Sequence, residues 1–205
     1  LAQELDDWCR QTKWPHHGDS VDATDEACRK RVLLLAEGGW LRWCVPREFG
    51  GKHESLDVRS LCLIRETLAR YDALADFSFA MQGLGSGAIS LYGNSKQKQN
   101  ILEEVSAGRM IAGFALSEPD AGSDVAAMNS KAFSTTEGWK VNGEKSWISN
   151  GGIADYYTLF AKTSDQPGSE GISAFLLKAD NPGLSIAERQ EVMAPHPLAR
   201  LQLKN

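Results

Sequence analysis

Within the nine residues Leu116-Ser117-Glu118-Pro119-Asp120-Ala121-Gly122-Ser123-Asp124 stand two hydroxyls and three carboxylates, with a proline and a glycine between them. Ser117 and Ser123 can donate hydrogen bonds, and Glu118, Asp120 and Asp124 can hold charge or take a proton. Pro119, Asp120 and Gly122 favour tight turns for separate reasons: a fixed φ, a side chain that bonds the local backbone, and freedom at positive φ. The apolar run Ile111 to Leu116, with aromatic Phe114, reads as a strand leading into this loop. A loop of small residues leaving a strand can turn several backbone N–H groups to one point, a nest that suits a phosphate or an electron-rich ring edge. Taken alone, Ser117 would cap a turn and Gly122-Ser123 would form one. Three carboxylates beside a dianion would repel it. They are therefore expected to bond loop N–H groups or to face solvent, in a structural role rather than as a general base.

A second cluster is Trp147-Ile148-Ser149-Asn150. An isolated Trp is usually a core residue. Other chemistry-bearing types are scattered. Cys9, Cys28, Cys44 and Cys62 include no CxxC pair, and His16, His17, His53 and His196 form no Cys/His cluster of zinc-ligand type. The thiols read as reduced. His16-His17, between Pro15 and Gly18, reads as an exposed linker, and His196, between two prolines, as a loop residue. Gln82-Gly83-Leu84-Gly85-Ser86-Gly87 follows no strand, so it is not a dinucleotide fingerprint; close helix packing is the simpler reading.

Positioning these residues falls to helices and then strands. Ala2, Leu5, Trp8, Cys9 and Thr12 share one face of a first helix that Pro15 ends. A second helix is expected from Thr24 as N-cap, with Asp25 and Glu26 in its first turn and Gly38-Gly39 as its stop. A third begins near Ser55 and buries Leu61, Ile64, Leu68 and Tyr71. Leu74 to Leu91 is a more apolar helix, and Ser95 to Ser106 a last one with Ile101, Leu102 and Val105 inward. From Met110 the pattern changes to short strands and turns. Asn142-Gly143 is expected to turn a hairpin between Trp139–Val141 and Glu144–Trp147. Tyr156 to Lys162 and Gly171 to Lys178 are further strands, the second closed by Asp180-Asn181-Pro182-Gly183. The domains are expected at 1–112 and 113–205.

The composition, 42% hydrophobic and 24% charged over 205 residues, is that of a globular protein able to bury a core. A net charge of −5 argues against nucleic-acid or anionic-membrane partners. No run approaches the roughly 18 apolar residues of a membrane span. The acidic opening Leu1 to Asp7 is unlike a signal peptide, and the absence of an initial Met reads as a piece of a longer chain.

The signature Leu116 to Asp124 resembles the flavin-binding motif of the acyl-CoA dehydrogenases. Trp147-Ile148-Ser149-Asn150 resembles the family's second flavin element. Pro46-Arg47-Glu48-Phe49-Gly50-Gly51 and Gly93-Asn94-Ser95-Lys96-Gln97-Lys98 resemble landmarks of its helical domain. The resemblance implies an α+β multidomain fold: an N-terminal helical domain, a mostly antiparallel β-barrel-like domain, and a C-terminal helical bundle that this chain does not reach. It implies FAD as cofactor, with Phe114, Leu116, Ser117, Gly122, Ser123, Trp147, Ile148 and Ser149 as its contacts. Ser117 would meet the N1 and O2 edge, where fixed donors stabilise the charge of reduced flavin. Gly122 and Ser123 would meet the pyrophosphate, and Ser123 also the acyl-CoA. Trp147 would pack on the ring system and Ser149 bond its N5 and O4 side. The glycine-rich stretch from Gln82 would lie near the acyl pocket.

The implied reaction is α,β-dehydrogenation of an acyl-CoA thioester in fatty acid metabolism, with electrons passed to an electron-transferring flavoprotein. The family's glutamate base would lie beyond Asn205, so no catalytic residue is named. A homotetramer, or a second chain supplying the bundle, and a cytoplasmic location (the mitochondrial matrix in a eukaryote) are implied as well. Alternatives are an acyl-CoA oxidase or flavin monooxygenase on the same scaffold, and a non-catalytic subunit that binds CoA esters. The family often carries Lys-Leu-Gly followed by Arg and Ser late in the β domain. Here that stretch is Arg189 to Arg200, which leaves the substrate class open.

Overall fold

The computed structural model describes residues 1–16, 18 and 20–204; the linker reading of His17 lies outside the described residues. Five helices come first: α1 (Ala2–Gln11), α2 (Val21–Glu37), α3 (Val58–Tyr71), α4 (Ala73–Tyr92) and α5 (Ser95–Ser106). Seven strands follow: β1 (Ala112–Ala115), β2 (Lys131–Thr135), β3 (Gly138–Ser149), β4 (Tyr156–Lys162), β5 (Ile172–Lys178), β6 (Leu184–Arg189) and β7 (Leu198–Leu203). This is the helical domain followed by a curled, mostly antiparallel sheet domain expected from the sequence.

Local chemistry moves several boundaries. α2 starts before Thr24, because the Ser20 hydroxyl accepts the Ala23 N–H at 3.2 Å and caps it there; Thr24 sits inside the helix and is buried. α3 starts at Val58 rather than near Ser55, and Ser60 Oγ donates to the Asp57 carboxylate at 2.6 Å at its entrance. α5 runs as expected, opened by a capping box in which Asn94 and Gln97 satisfy each other's backbone N–H. Buried Arg31 of α2 grips Asp72, the N-cap of α4, through Nε and Nη2, and also bonds the Pro15 and Ala27 carbonyls. A buried guanidinium is tolerable only when its donors are filled in this way.

The Asn142-Gly143 expectation is corrected. These residues do not turn a hairpin; they lie within β3, which runs unbroken from Gly138 to Ser149. Its first half pairs antiparallel with β2 and its second half with β7, so Asn142-Gly143 marks the place where one strand changes partner within the curled sheet. A Cβ on Gly143 would fall 2.1 Å from Ser130 Oγ, so only glycine allows that close approach. The true hairpin turns at Thr136-Glu137, between the paired residues Thr135 and Gly138. β4 pairs antiparallel with β5 but parallel with β1 and, at one position, with β2. β6 and β7 complete the curl.

The helices and the sheet share one core. Leu5, Leu35, Ile64, Leu68, Phe79 and Leu102 are continuous with Ile111, Ala112 and Tyr156. A second cluster, with Ala115, Ile148, Leu159, Leu201 and Leu203, fills the sheet interior. The joint between the two halves is polar and specific. Gln82 of α4 accepts the Ala112 N–H at 2.8 Å and donates to the Met110 carbonyl at 2.8 Å. Asn150 Nδ2 donates to the Ala112 carbonyl at 2.8 Å, and Thr158 Oγ1 to the Gly85 carbonyl at 2.7 Å. A Cβ on Gly85 would fall 2.6 Å from Ala112 Cβ, so within the glycine-rich stretch Gly85 serves close packing of α4 on β1.

Candidate functional site

An open cleft of about 150 Å³ lies where α4 faces the ends of β1 and β3. It is lined by Met81, Leu84, Phe114, Leu116, Ser117, Trp147, Ile148 and Ser149. Six of the residues named from the sequence thus converge. Gly122 and Ser123 do not line this cleft; both are exposed on the loop beyond it, and a Cβ on Gly122 would meet nothing within 4 Å. Met81 and Leu84 were not named as cofactor contacts, although Leu84 lies in the glycine-rich stretch expected near the acyl pocket. Their i, i+3 spacing on a helix apolar around most of its surface gave them no distinction from core positions.

Beneath the loop is a buried ion pair. Lys145 Nζ donates to Glu118 Oε1 at 2.8 Å and to the Leu116 carbonyl at 3.0 Å. The Glu118 carboxylate also accepts the Asn129 and Ser130 N–H groups. Its backbone exchanges hydrogen bonds with Ala121, closing the turn, and the Ser146 N–H donates to the Ser117 carbonyl at 2.9 Å. Burial pushes the Glu118 carboxyl up, but the Lys145 ammonium and the two N–H donors outweigh it and hold the group below its ordinary value. The expectation that Glu118 bonds loop N–H groups holds, with the added finding that it does so in the interior. Lys145 was missed, since a lysine between polar strand residues carries no sign of burial.

Trp147 is the strained member. Its φ is 60°, in the left-handed region that a bulky residue rarely adopts. The register of β3 against β7 slips between Lys145 and Ile148, so Trp147 sits in a β-bulge. A bulge re-aims a side chain out of the pleat. Here it turns the indole outward, 57% exposed, along the cleft wall, while Lys145 and Ile148 on either side stay buried. The Trp147 N–H, left without a ladder partner, donates to Gln190 Oε1 at 2.9 Å. Asn150 also has φ 60°, and its buried amide ties the end of β3 to β1 through Ala112.

The other reactive types stay apart from the cleft. Cys9, Cys28 and Cys44 are buried free thiols; burial pushes Cys9 and Cys28 up to about 11, and Cys44 higher still. His196 meets the Phe77 ring at a tilt, centroids 4.5 Å apart, and bonds the Ala194 carbonyl, as a loop residue would. Among the described residues, no group of three or more His, Cys, Asp or Glu is placed to hold a metal ion, and no helix is long and apolar enough to cross a membrane. What remains is an open, largely apolar cleft, with the Ser117 and Ser149 hydroxyls and the exposed Trp147 indole on its walls.

Two family models match the chain: "Acyl-CoA dehydrogenase, N-terminal domain" over residues 1–109 and "Acyl-CoA dehydrogenase, middle domain" over residues 113–205. A probable acyl-CoA dehydrogenase from Mycobacterium leprae is 36% identical over 177 residues, 86% of this chain and 45% of that protein. A structure of an acyl-CoA dehydrogenase from Bacillus anthracis complexed with FAD is 31% identical, with a TM-score of 0.79 over 99% of this chain and 34% of that one. A structure described as the electron transferring flavoprotein of Acidaminococcus fermentans is 30% identical, with a TM-score of 0.85 over 99% of this chain and 53% of that one. The chain spans about half the length, or less, of the proteins it matches.

Proposed function

This chain belongs to the acyl-CoA dehydrogenase family, and we propose that it forms the helical and β portions of an FAD-dependent acyl-CoA dehydrogenase. The observation that carries the reading is the strained, outward Trp147 on the wall of an apolar cleft that also holds Phe114, Leu116, Ser117 and Ser149. An indole kept exposed at the cost of backbone strain implies a partner ring. The residues fit the flavin: the cleft has an apolar wall for its rings and hydroxyls at its edge, and the space over Gly122 is open for a group this chain does not supply.

When bound, FAD would accept the hydride from the β carbon of the thioester. The work of this chain is to bind and orient. Ser117 would donate to the N1 and O2 edge of the ring, and Ser149 to its N5 and O4 side. Trp147, Phe114, Leu116 and Ile148 would cover the ring and exclude water. Gly122 and Ser123, on the exposed loop, would meet the pyrophosphate, and Ser123 also the CoA ester. The domain division at 1–112 and 113–205 gives the cofactor a floor in the β part and the acyl chain a wall on α4. The base that takes the α proton would come from outside residues 1–205, as would the electron acceptor. The likeness to a structure described as an electron transferring flavoprotein supports an acceptor of that class. A homo-oligomer, a cytoplasmic location and a place in fatty acid metabolism belong to the same reading.

The test is a visible spectrum of the full-length protein before and after anaerobic addition of acyl-CoA esters of graded length. Flavin bands that bleach with one ester class, and recover with a flavoprotein acceptor, are expected. Recovery by oxygen with stoichiometric peroxide would favour an oxidase, and a colourless full-length protein would overturn the reading.

A further inference from the structure

Trp147 does not hold its position by packing, since most of it is exposed. Left to itself, a tryptophan in the left-handed region would relax to the extended backbone of the strand, and the bulge would close. Something must hold the bulge open, and the hydrogen bonds identify it. The side-chain amide of Gln190 takes both sides of the distortion: its Oε1 accepts the Trp147 N–H at 2.9 Å, and its Nε2 meets Ser146 Oγ at 3.3 Å. Gln190 is itself pinned, because its N–H donates to the Leu198 carbonyl at 2.9 Å at the mouth of β6 and β7.

The residue before it is fixed to the other half of the molecule. Arg189 makes a two-pronged ion pair with Asp25 of α2, at 2.7 and 2.6 Å, and its guanidinium lies over Gly152, where a Cβ would come within 2.9 Å of Nη1. Such a bidentate pair fixes direction as well as distance. One line of contacts therefore runs from α2 through Asp25, Arg189 and Gln190 to the bulge at Trp147. Its links are hydrogen bonds, apart from the peptide bond that joins Arg189 to Gln190.

We propose that Gln190 is a positioning residue that holds Trp147 in its outward, ring-facing conformation, and that the Asp25–Arg189 pair anchors it to α2. The proposal rests on the flavin reading only for its consequence at the cofactor; the hold on Trp147 stands on this chain alone. Gln190 neither lines the cleft nor carries chemistry, so its removal reaches the cleft through Trp147 and the adjoining Ser146.

The experiment compares Gln190→Ala, Gln190→Glu, Trp147→Gly and the Trp147→Gly/Gln190→Ala double variant in the full-length protein. Two readouts are used: the FAD dissociation constant, and acrylamide quenching of tryptophan emission in the flavin-free form. Gln190→Ala is expected to weaken FAD roughly two- to tenfold, the loss of one hydrogen bond's worth of order, and to change quenching. Gln190→Glu keeps an acceptor for the Trp147 N–H and is expected to restore wild-type quenching. In the Trp147→Gly background, where no ring is left to orient, Gln190→Ala should change quenching no further and FAD affinity by less than twofold. A full Gln190 effect in that background would overturn the proposal, since it would then act elsewhere, as would unchanged quenching in Gln190→Ala. If the protein holds no FAD, the functional reading fails, while the quenching comparison still decides whether Gln190 holds Trp147.

Discussion

Lys145 Nζ lies 2.8 Å from Glu118 Oε1, with the two side chains 0% and 3% exposed, directly beneath the loop that carries Ser117. Taking one partner away strands a charge in the interior, whereas replacing both by apolar groups does not. Lys145→Met is therefore expected to cost about 3–5 kcal/mol, and the Lys145→Met/Glu118→Leu double variant clearly less. Urea unfolding of the three proteins measures this. Equal losses in the single and double variants would mean that the pair holds the loop by shape rather than by charge.

The same carboxylate makes stability depend on pH. Glu118 sits below its ordinary value in the folded chain, so the unfolded chain binds the proton more readily. Its contribution is complete above the unfolded value, about 4.3, and fades as pH falls through the lower folded one. The stability difference between wild type and Glu118→Gln should hold constant from pH 7 to about 5 and shrink below about 4. Parallel unfolding free energies across that range would rule the effect out.

Trp147 sets stability against binding. A left-handed backbone costs a bulky residue about 1–3 kcal/mol, and glycine none of it. Because the indole is largely exposed, Trp147→Gly is expected to leave the thermal midpoint of the flavin-free protein unchanged or higher. FAD binding should weaken roughly two- to tenfold with the loss of the ring contact. Calorimetry and a flavin titration read the two effects separately, and a lower midpoint would mean that the indole is a packing residue.

Gly85 tests the joint of the two halves. Gly to Ala inside an exposed helix gains up to about 1 kcal/mol. Here the added methyl would meet Ala112 at 2.6 Å. Gly85→Ala should instead lose about 1–3 kcal/mol by overpacking, and Gly87→Ala, which meets nothing within 4 Å, should lose none. Chemical denaturation of both variants is the measurement.

Much of the architecture could be read before the structure. α4 and α5 were legible because their apolar residues recur at helical spacing, and β4 because its run is largely apolar. β2, β6 and β7 were not, as their outward positions are polar and their pairing partners lie far along the chain. Asn142-Gly143 misled for a clear reason. The dipeptide suits a tight turn, but a strand changing partner within the sheet needs the same small residue for a different purpose, room beside Ser130. At the site, the motif residues of the two clusters were named and do converge on one cleft. Gln190 was invisible, because nothing in a glutamine 43 residues from Trp147 reports that its amide will replace a missing ladder bond.

β1 is only four residues long, and both backbone groups of Ala112 are taken by side chains, its N–H by Gln82 and its carbonyl by Asn150. A short strand with open backbone groups is a template on which foreign chains can add and grow. Here the groups that would recruit a stranger at Ala112 are already answered by amides reaching in from α4 and from the end of β3. The joint that unites the two halves of the molecule thus leaves no open backbone group at Ala112, and Gln82→Leu, which frees its N–H, should shorten the lag before turbidity appears on gentle heating.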